Sequence, residues 1–369
     1  MILAPGWWDK SWNKRIKIMF SGNISTSNLV EFPVLITLNG SDLSYSDFNT
    51  DGSDIRFVDE DSMTVLSHEI EHWDPAGTSQ IWVKVPVITG GSVSDSIWLY
   101  YKNQNASDGQ NPAGVWSSGY AAVYHLNGNG KDARAVHNGT ESTVADQDPG
   151  KIARARNFDG SISYIDIGSP SGVDDVFNGG GTLSAWIYPT GWGENNYGRI
   201  LDKRIIETGG IGWSFLLNNN GPLACLSFSH GFDSGTNSKV WSSPASSITL
   251  NLWHHVAVVY DKTSAPILYI NGIAQSLSAT GSGTSADSDA AQNLVMGNHS
   301  RSPAGLGAFT TRTFDGHLDE VRISNVSRSA DWMIAHNRTV NGMFHFFNAE
   351  ENLQDILNRE LPIFIYLNM

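Results

Sequence analysis

His68-Glu69-Ile70-Glu71-His72 satisfies H-E-x-x-H, the spacing with which a helix offers two imidazoles to one zinc ion and a glutamate to the attacking water. That chemistry needs a helix, because only there do positions i and i+4 share a face. The surrounding M-T-V-L-S-H-E-I-E-H-W-D-P is short, partly β-branched and closed by Pro75, which predicts a strand. On a strand the two histidines stand roughly 13 Å apart at about 3.3 Å per residue, too far for one ion to bond both. A zinc peptidase at His68/His72 is therefore not the expected activity.

A glycoside hydrolase needs two carboxylates flanking the scissile bond. Glu69 and Glu71 alternate suggestively, but they sit in the same strand-like motif, and Glu320 in L-D-E-V-R-I fits a strand end. Saccharide binding asks instead for aromatic faces with a few amides and carboxylates to fix orientation. Trp192 in T-G-W-G-E-N-N-Y-G and Trp241 in K-V-W-S-S-P occupy loop-like settings, and Asn195, Tyr197 and Asp233 neighbour them. These five form the candidate ligand set, each with a plainer alternative as loop anchor or subunit contact. Trp186, Trp213 and Trp253 lie in alternating strand patterns and are expected in the core, as are His254 and His255.

The composition narrows the class. With 16% charged residues, 37 Gly and 13 Trp in 369 residues, the chain reads as all-β with room for two cored domains. A formal charge of −14 disfavours a nucleic-acid partner, whose phosphates need Lys and Arg. Cys225 is the single cysteine, so there is no intrachain disulfide, and its strand-like setting predicts a buried, inert thiol. No run reaches the roughly 18 to 20 apolar residues of a membrane span. No signal peptide precedes the first domain signature, which fits a signal removed beforehand or another exit route such as release of a phage particle by lysis.

These side chains must be positioned by strands. R-I-K-I-M-F, V-L-I-T-L, I-R-F-V, I-W-V-K-V and I-W-L-Y-Y recur between Arg15 and Tyr101, with Ile81, Val83 and Val85 on one face and Trp82 and Lys84 on the other. Residues 103–119 read as a linker. A second strand series follows to about Phe347, with Asn271-Gly272 as a hairpin turn, Gly281 to Ala291 as a small polar loop and Ser329 to Arg338 as one short helix.

Two sets of motifs carry a resemblance. W-W-D-K-S-W (Trp7 to Trp12), D-G-S-D-I-R-F (Asp51 to Phe57), F-P-V-L-I-T-L, E-I-E-H-W-D and I-W-V-K-V-P resemble a bacterial and phage domain of unknown function. Y-H-L-N (Tyr124 to Asn127), F-D-G, Y-I-D-I-G, T-L-S-A-W-I, N-L-W-H-H-V-A-V-V-Y-D, L-Y-I-N-G and L-D-E-V-R-I resemble a laminin-G-like, concanavalin-A-like jelly roll. The expected architecture is a small antiparallel β-sandwich (residues 1–102), the linker, the jelly roll (120–348) and a C-terminal tail (349–369). The jelly-roll glucanases' E-x-D-x-x-E strand is absent from the sequence. The resemblance also implies a structural calcium ion on Asp319, with Asn127 and Asp132 contributing, although Asn127 stands where an acidic residue is common.

The apolar ending around Ile363 to Leu367 is expected to dock, either on its own domain or, as the favoured reading, as an assembly arm adding a strand to a neighbouring copy or another surface protein. Together these features predict a non-enzymatic glycan-binding or display protein of a virion or cell surface, such as a phage fibre or decoration protein. A bacterial adhesin and a purely architectural protein are the alternatives.

Overall fold

The computed structural model describes residues 6–205, 210–219, 224–300 and 312–360. It separates into two units, residues 1–118 with 335–369, and residues 119–334. Both are antiparallel β-sandwiches, as the alternating runs require.

In the first unit a five-stranded sheet runs in the order His345–Asn352, Lys14–Phe20, Ser96–Tyr101, Arg56–Asp59, Val65–Leu66. Leu29–Asn39, Thr78–Ile88 and His68–His72 form a three-stranded sheet. Ile16, Ile18 and Phe20 alternate onto one buried face, as a period of two dictates.

The resemblance motifs of this unit hold one another. The Trp7 indole donates to the Trp12 carbonyl (3.0 Å), and the Trp12 indole to the Asp54 carbonyl (2.6 Å). The buried Asp54 carboxylate accepts the backbone N–H of Asn49, Lys102 and Asn103 at 2.8, 2.9 and 3.2 Å. Gly52 has φ +72°, and a Cβ there would press on the Trp73 ring at 2.9 Å, so the turn needs glycine.

E-I-E-H-W-D is explained by its tryptophan neighbours. Glu69 and Glu71 accept the indole N–H groups of Trp116 and Trp82, whose rings meet edge to face at 5.3 Å. Trp82, expected on the face away from Ile81, is thus buried as well, covered by Trp116. Trp116 comes from the segment read as a linker. That segment includes a short helix, Pro112–Val115, capped by the Asn111 side chain, and lies within the first unit.

The C-terminal segment also departs from its expected place. His345–Asn352 pairs with Lys14–Phe20, and Phe344 packs on Phe20 and Phe32 at 6.2 and 5.5 Å. The helix Leu353–Glu360 brings Leu353, Ile356 and Leu357 against the cluster of Trp7, Trp12, Val58 and Tyr100. The first unit is therefore discontinuous in sequence, and the tail's first residues complete it. The apolar run at Ile363 to Leu367 lies outside the described residues.

The second unit packs two eight-stranded sheets. One is built on Asp315–Ser324, flanked by Gly181–Pro189 and Ala155–Asp159 and reaching through His254–Tyr260 to Ile267–Ile270. The other carries Ser278–Gly281, Asn237–Ser242, Cys225–Phe232, Gly212–Asn218 and Arg199–Arg204 in that order. Leu183, Ile187, Phe215, Phe228, Val256 and Val258 are among the side chains filling the core between them. Asn271 and Gly272 both take positive φ, 51° and 80°, as the hairpin dipeptide requires. Cys225 is fully buried and burial raises its thiol pKa, in keeping with an inert role. The short helix forms as Ala330–Val340.

Candidate functional site

The H-E-x-x-H residues lie on a strand, His68–His72, with His68 opposite Val83 and His72 opposite Gln80. His68 is buried, and neither ring nitrogen has a hydrogen-bond partner in good geometry. Burial therefore holds its pKa down at about 4 against an ordinary 6.5. With the folded-state value depressed, the neutral ring is favoured above pH 6.5, and stability is lost as pH falls from 6.5 through 4. His68→Leu is expected to stabilise the first unit by about 1–2 kcal/mol at neutral pH, and by more at pH 5, because an unmet polar group leaves the core. Urea melts at the two pH values check this. A lowered midpoint in both would show that the imidazole has a stabilising partner.

The residues proposed for calcium are engaged otherwise. Asp319 is fully buried, its carboxylate accepting the N–H of Lys151 (2.8 Å), Ile152 (2.9 Å) and Glu320 (2.8 Å). Asp132 accepts four backbone N–H groups, from Val123, Arg134, Val136 and His137. The Asn127 carbonyl accepts from Asn129 Nδ2 at 3.4 Å. A calcium shell needs about six to eight oxygens turned toward the ion. Here two carboxylates are ringed by donors and act as loop clamps, so this set does not fit the ion.

Burial and the adjacent Glu320 charge raise the Asp319 pKa well above the usual carboxylate range. Burial works the same way on Glu320, but His125 (2.6 Å) and Arg322 outweigh it and hold that carboxyl low. Glu320 is fully buried in this pairing.

The five candidate saccharide ligands do not converge. Arg199 stands opposite Leu216 and Asn218 opposite Cys225, so the turn carrying Trp192, Asn195 and Tyr197 lies at that end of the sheet. Asn219 N–H donating to the Asn196 carbonyl at 3.0 Å confirms the placement. Asp233 follows Phe232 at the opposite end, on the order of 20 Å away along a strand rising about 3.3 Å per residue.

Trp192 packs partly on the core, and the Tyr197 ring faces the Arg312 guanidinium at 5.0 Å. Trp241 is a strand residue, not a loop residue, opposite Phe228 and 6% exposed. Trp253, expected in the core, is half-buried, its ring tilted against those of Tyr188 and His317 at 5.5 and 6.4 Å. Trp186 and Trp213 are buried as expected, and His254 bonds the Thr249 carbonyl at 3.0 Å.

One groove of about 350 Å³ opens where the two sheets of the second unit part. Phe232, Trp241 and Tyr260 contribute its aromatic side chains, each only 3–6% exposed. Lys239 and Lys262 also line it, with hydroxyls from Thr263, Ser264, Thr280 and Thr284. Among the described residues no Asp or Glu lines it. Burial pushes the Tyr260 phenol up to about 12, so its hydroxyl stays protonated at neutral pH. Lys239, Tyr260 and Lys262 were missed in the sequence. Lys239 had a signal, since its spacing of two from Trp241 puts both on one strand face.

The acids nearby hold the wall. Asp233 accepts from Ser285 N–H, Asn237 and Thr284, which hold its carboxyl down at about 2. Asp261 is held to about 2 by N–H bonds from Ser264 and Thr263, folding the turn after Tyr260. Lys262 Nζ reaches Asp175 at 2.9 Å and the Asp287 carbonyl at 3.1 Å. Asp233 therefore serves as a loop clamp and is not a lining residue of the groove.

The fold defines the class: two β-sandwich modules, the second a concanavalin-A-like jelly roll. Residues 51–141 match the family described as a domain of unknown function, DUF2341, and residues 159–333 match the concanavalin A-like lectin/glucanases superfamily. The chain carries these two families' domains in tandem. No curated protein matches it.

Among solved structures it is similar to domain 4 of an extracellular arabinanase from Geobacillus stearothermophilus, solved with arabinotriose, at 20% identity and a TM-score of 0.38, covering 58% of this chain and 96% of that one. It is also similar to the binding domain of Paraclostridial mosquitocidal protein 1, at 15% identity and a TM-score of 0.41, covering 57% and 49%. The receptor-binding domain of botulinum neurotoxin mosaic serotype C/D is similar at 14% identity and a TM-score of 0.42, covering 61% and 51%. The chain thus spans about half the length of each toxin domain. Among the described residues no helix is long and apolar enough to cross a membrane.

Proposed function

We propose that the jelly roll is a non-catalytic saccharide-binding module, displayed on the surface of a phage particle as part of a fibre or decoration protein. The observation that carries the binding reading is the groove itself: aromatic, hydroxyl-bearing and lysine residues line it, and among the described residues no carboxylate does. Aromatic carbon with a few oriented polar groups suits a sugar ring. Hydrolysis of a glycoside would need two carboxylates across the bond, which this lining does not supply. The display setting rests on the resemblance of the first domain's motifs to a bacterial and phage family.

A glycan array probed with the purified protein tests the reading. Binding to a defined glycan subset is expected, unchanged by EDTA because Asp319 and Asp132 are engaged by backbone N–H groups. Trp241→Phe should weaken it by about tenfold and Trp241→Ala by about thirtyfold or more, as for a buried aromatic anchor. Thermal melts must show both variants folded. Hits that survive both substitutions would move the site elsewhere, and silence across the array would leave an architectural role. Hits confined to bacterial-surface glycans in a protein found on cells, not particles, would make it an adhesin.

A further inference from the structure

We infer that the groove selects anionic saccharides, through the ammonium group of Lys239. This rests on the groove being the saccharide site.

The chain as a whole carries −14, yet the groove's lining includes two lysines and, among the described residues, no acid. The two lysines differ. Lys262 is committed to Asp175 and to the Asp287 carbonyl, so its charge is matched and it braces the wall. Lys239 makes no ion pair among the described residues; its Nζ sits 4.8 Å from the Phe232 ring centroid. A cation over an aromatic face keeps its charge available to an incoming anion.

Its position is set by the strand register. Lys239 stands opposite His230, and Trp241 opposite Phe228, so the two side chains share a face. The acids nearest in sequence to the lining residues are held by N–H groups, Asp261 by Thr263 and Ser264 of its own turn and Asp233 by Ser285 of a separate loop, whose Thr284 hydroxyl also bonds Asp233. Neither carboxylate forms an ion pair with Lys239 among the described residues, so that ammonium is the lining charge without an ionic partner, and a sugar bearing a carboxylate or sulfate complements it. A lysine acts here as a point charge, so it asks for an anion without demanding bidentate geometry.

Binding of the full chain to oligogalacturonate, oligosialic acid and dextran sulfate is compared with binding to the carboxyl-reduced oligogalacturonate. The charged sugars are expected to bind about tenfold tighter than the reduced one, the preference shrinking as salt rises. Lys239→Gln should remove the preference without abolishing residual binding, and Lys239→Arg should keep it. Tight binding of both carboxylated sugars with weak binding of dextran sulfate assigns a carboxylate, and the reverse assigns a sulfate. Equal affinity for charged and reduced sugars, or a preference that survives in Lys239→Gln, overturns the inference while the saccharide reading stands. No binding of any sugar overturns both.

Discussion

Ending the chain at Asn341 is expected to unfold the first domain while leaving the second intact. The lost segment supplies His345–Asn352, which pairs along Lys14–Phe20 at the sheet edge, and Phe344, which packs on Phe20 and Phe32. It also carries Leu353, buried on the Trp7, Trp12 and Tyr100 cluster, and the ion pairs of Glu351 with Arg15 (2.8 Å) and Glu350 with Lys14 (2.6 Å). Removing one buried phenylalanine alone costs about 3–5 kcal/mol, and a whole domain is stable by only about 5–15 kcal/mol. A ladder of backbone groups is unpaired in addition. Calorimetry should show two transitions in the full chain and one in the truncated chain, with near-UV signal lost from the Trp-rich first domain. Two unchanged transitions would mean that the final strand decorates the sheet without holding it.

Lys203→Met should cost the second domain about 3–5 kcal/mol, the effect of stripping a partner from a buried charge network. Lys203 is fully buried, and its Nζ reaches Asp174 (2.8 Å), Asp289 Oδ1 (3.4 Å), Ser169 Oγ (2.9 Å) and the carbonyls of Asp289 (2.9 Å) and Gln292. Asp289 is itself buried and accepts the Trp213 indole N–H at 2.7 Å. Burial already raises the Asp289 pKa, and Lys203 is the first of the groups that oppose this. Methionine keeps the length of the stem but leaves two carboxylates without their cation. For a domain of this size the melting temperature should fall by roughly 10 °C. Lys203→Met combined with Asp289→Asn should recover part of the loss. An unchanged melting temperature would show that water replaces the ammonium at no cost. The same loop carries Thr284 to the groove, so sugar binding should weaken alongside stability.

The resemblance motifs were legible because most of their work is local. Trp7, Trp12 and Asp54 lie in short segments whose residue types announce a turn and a buried indole, and each does bond where such residues would. Asn271-Gly272 was legible for the same reason: its backbone angles belong to the dipeptide. H-E-x-x-H reads as a strand on local grounds, from its β-branched neighbours and Pro75, and His68–His72 is one. Asp319 and Asp132 read as calcium ligands from the resemblance, but whether their oxygens face an ion or a ring of N–H groups depends on loops distant in sequence. Lys151 and Ile152 lie far from Asp319 along the chain.

Trp241 shows the limit from the other side. K-V-W-S-S-P reads as a loop because serine and proline dominate it, yet pairing with Cys225–Phe232 and Ser278–Gly281 makes it a strand. Tertiary context overrides weak local preference there. Sequence proximity also grouped Trp192 with Asp233, which the antiparallel register sends to opposite ends of one sheet.

By itself, the sequence determined the all-β class, the two families in tandem, most strands, the main turn and the motif anchors. Alternating side chains and turn dipeptides encode these within a few residues. Only the tertiary structure decided which sheet received His345–Asn352, that Trp116 covers Trp82, and that Lys239, Trp241, Tyr260 and Lys262 line one groove. Each of those outcomes rests on pairing or packing between segments far apart in the chain, where many partners satisfy the same local pattern and the best burial and register select one.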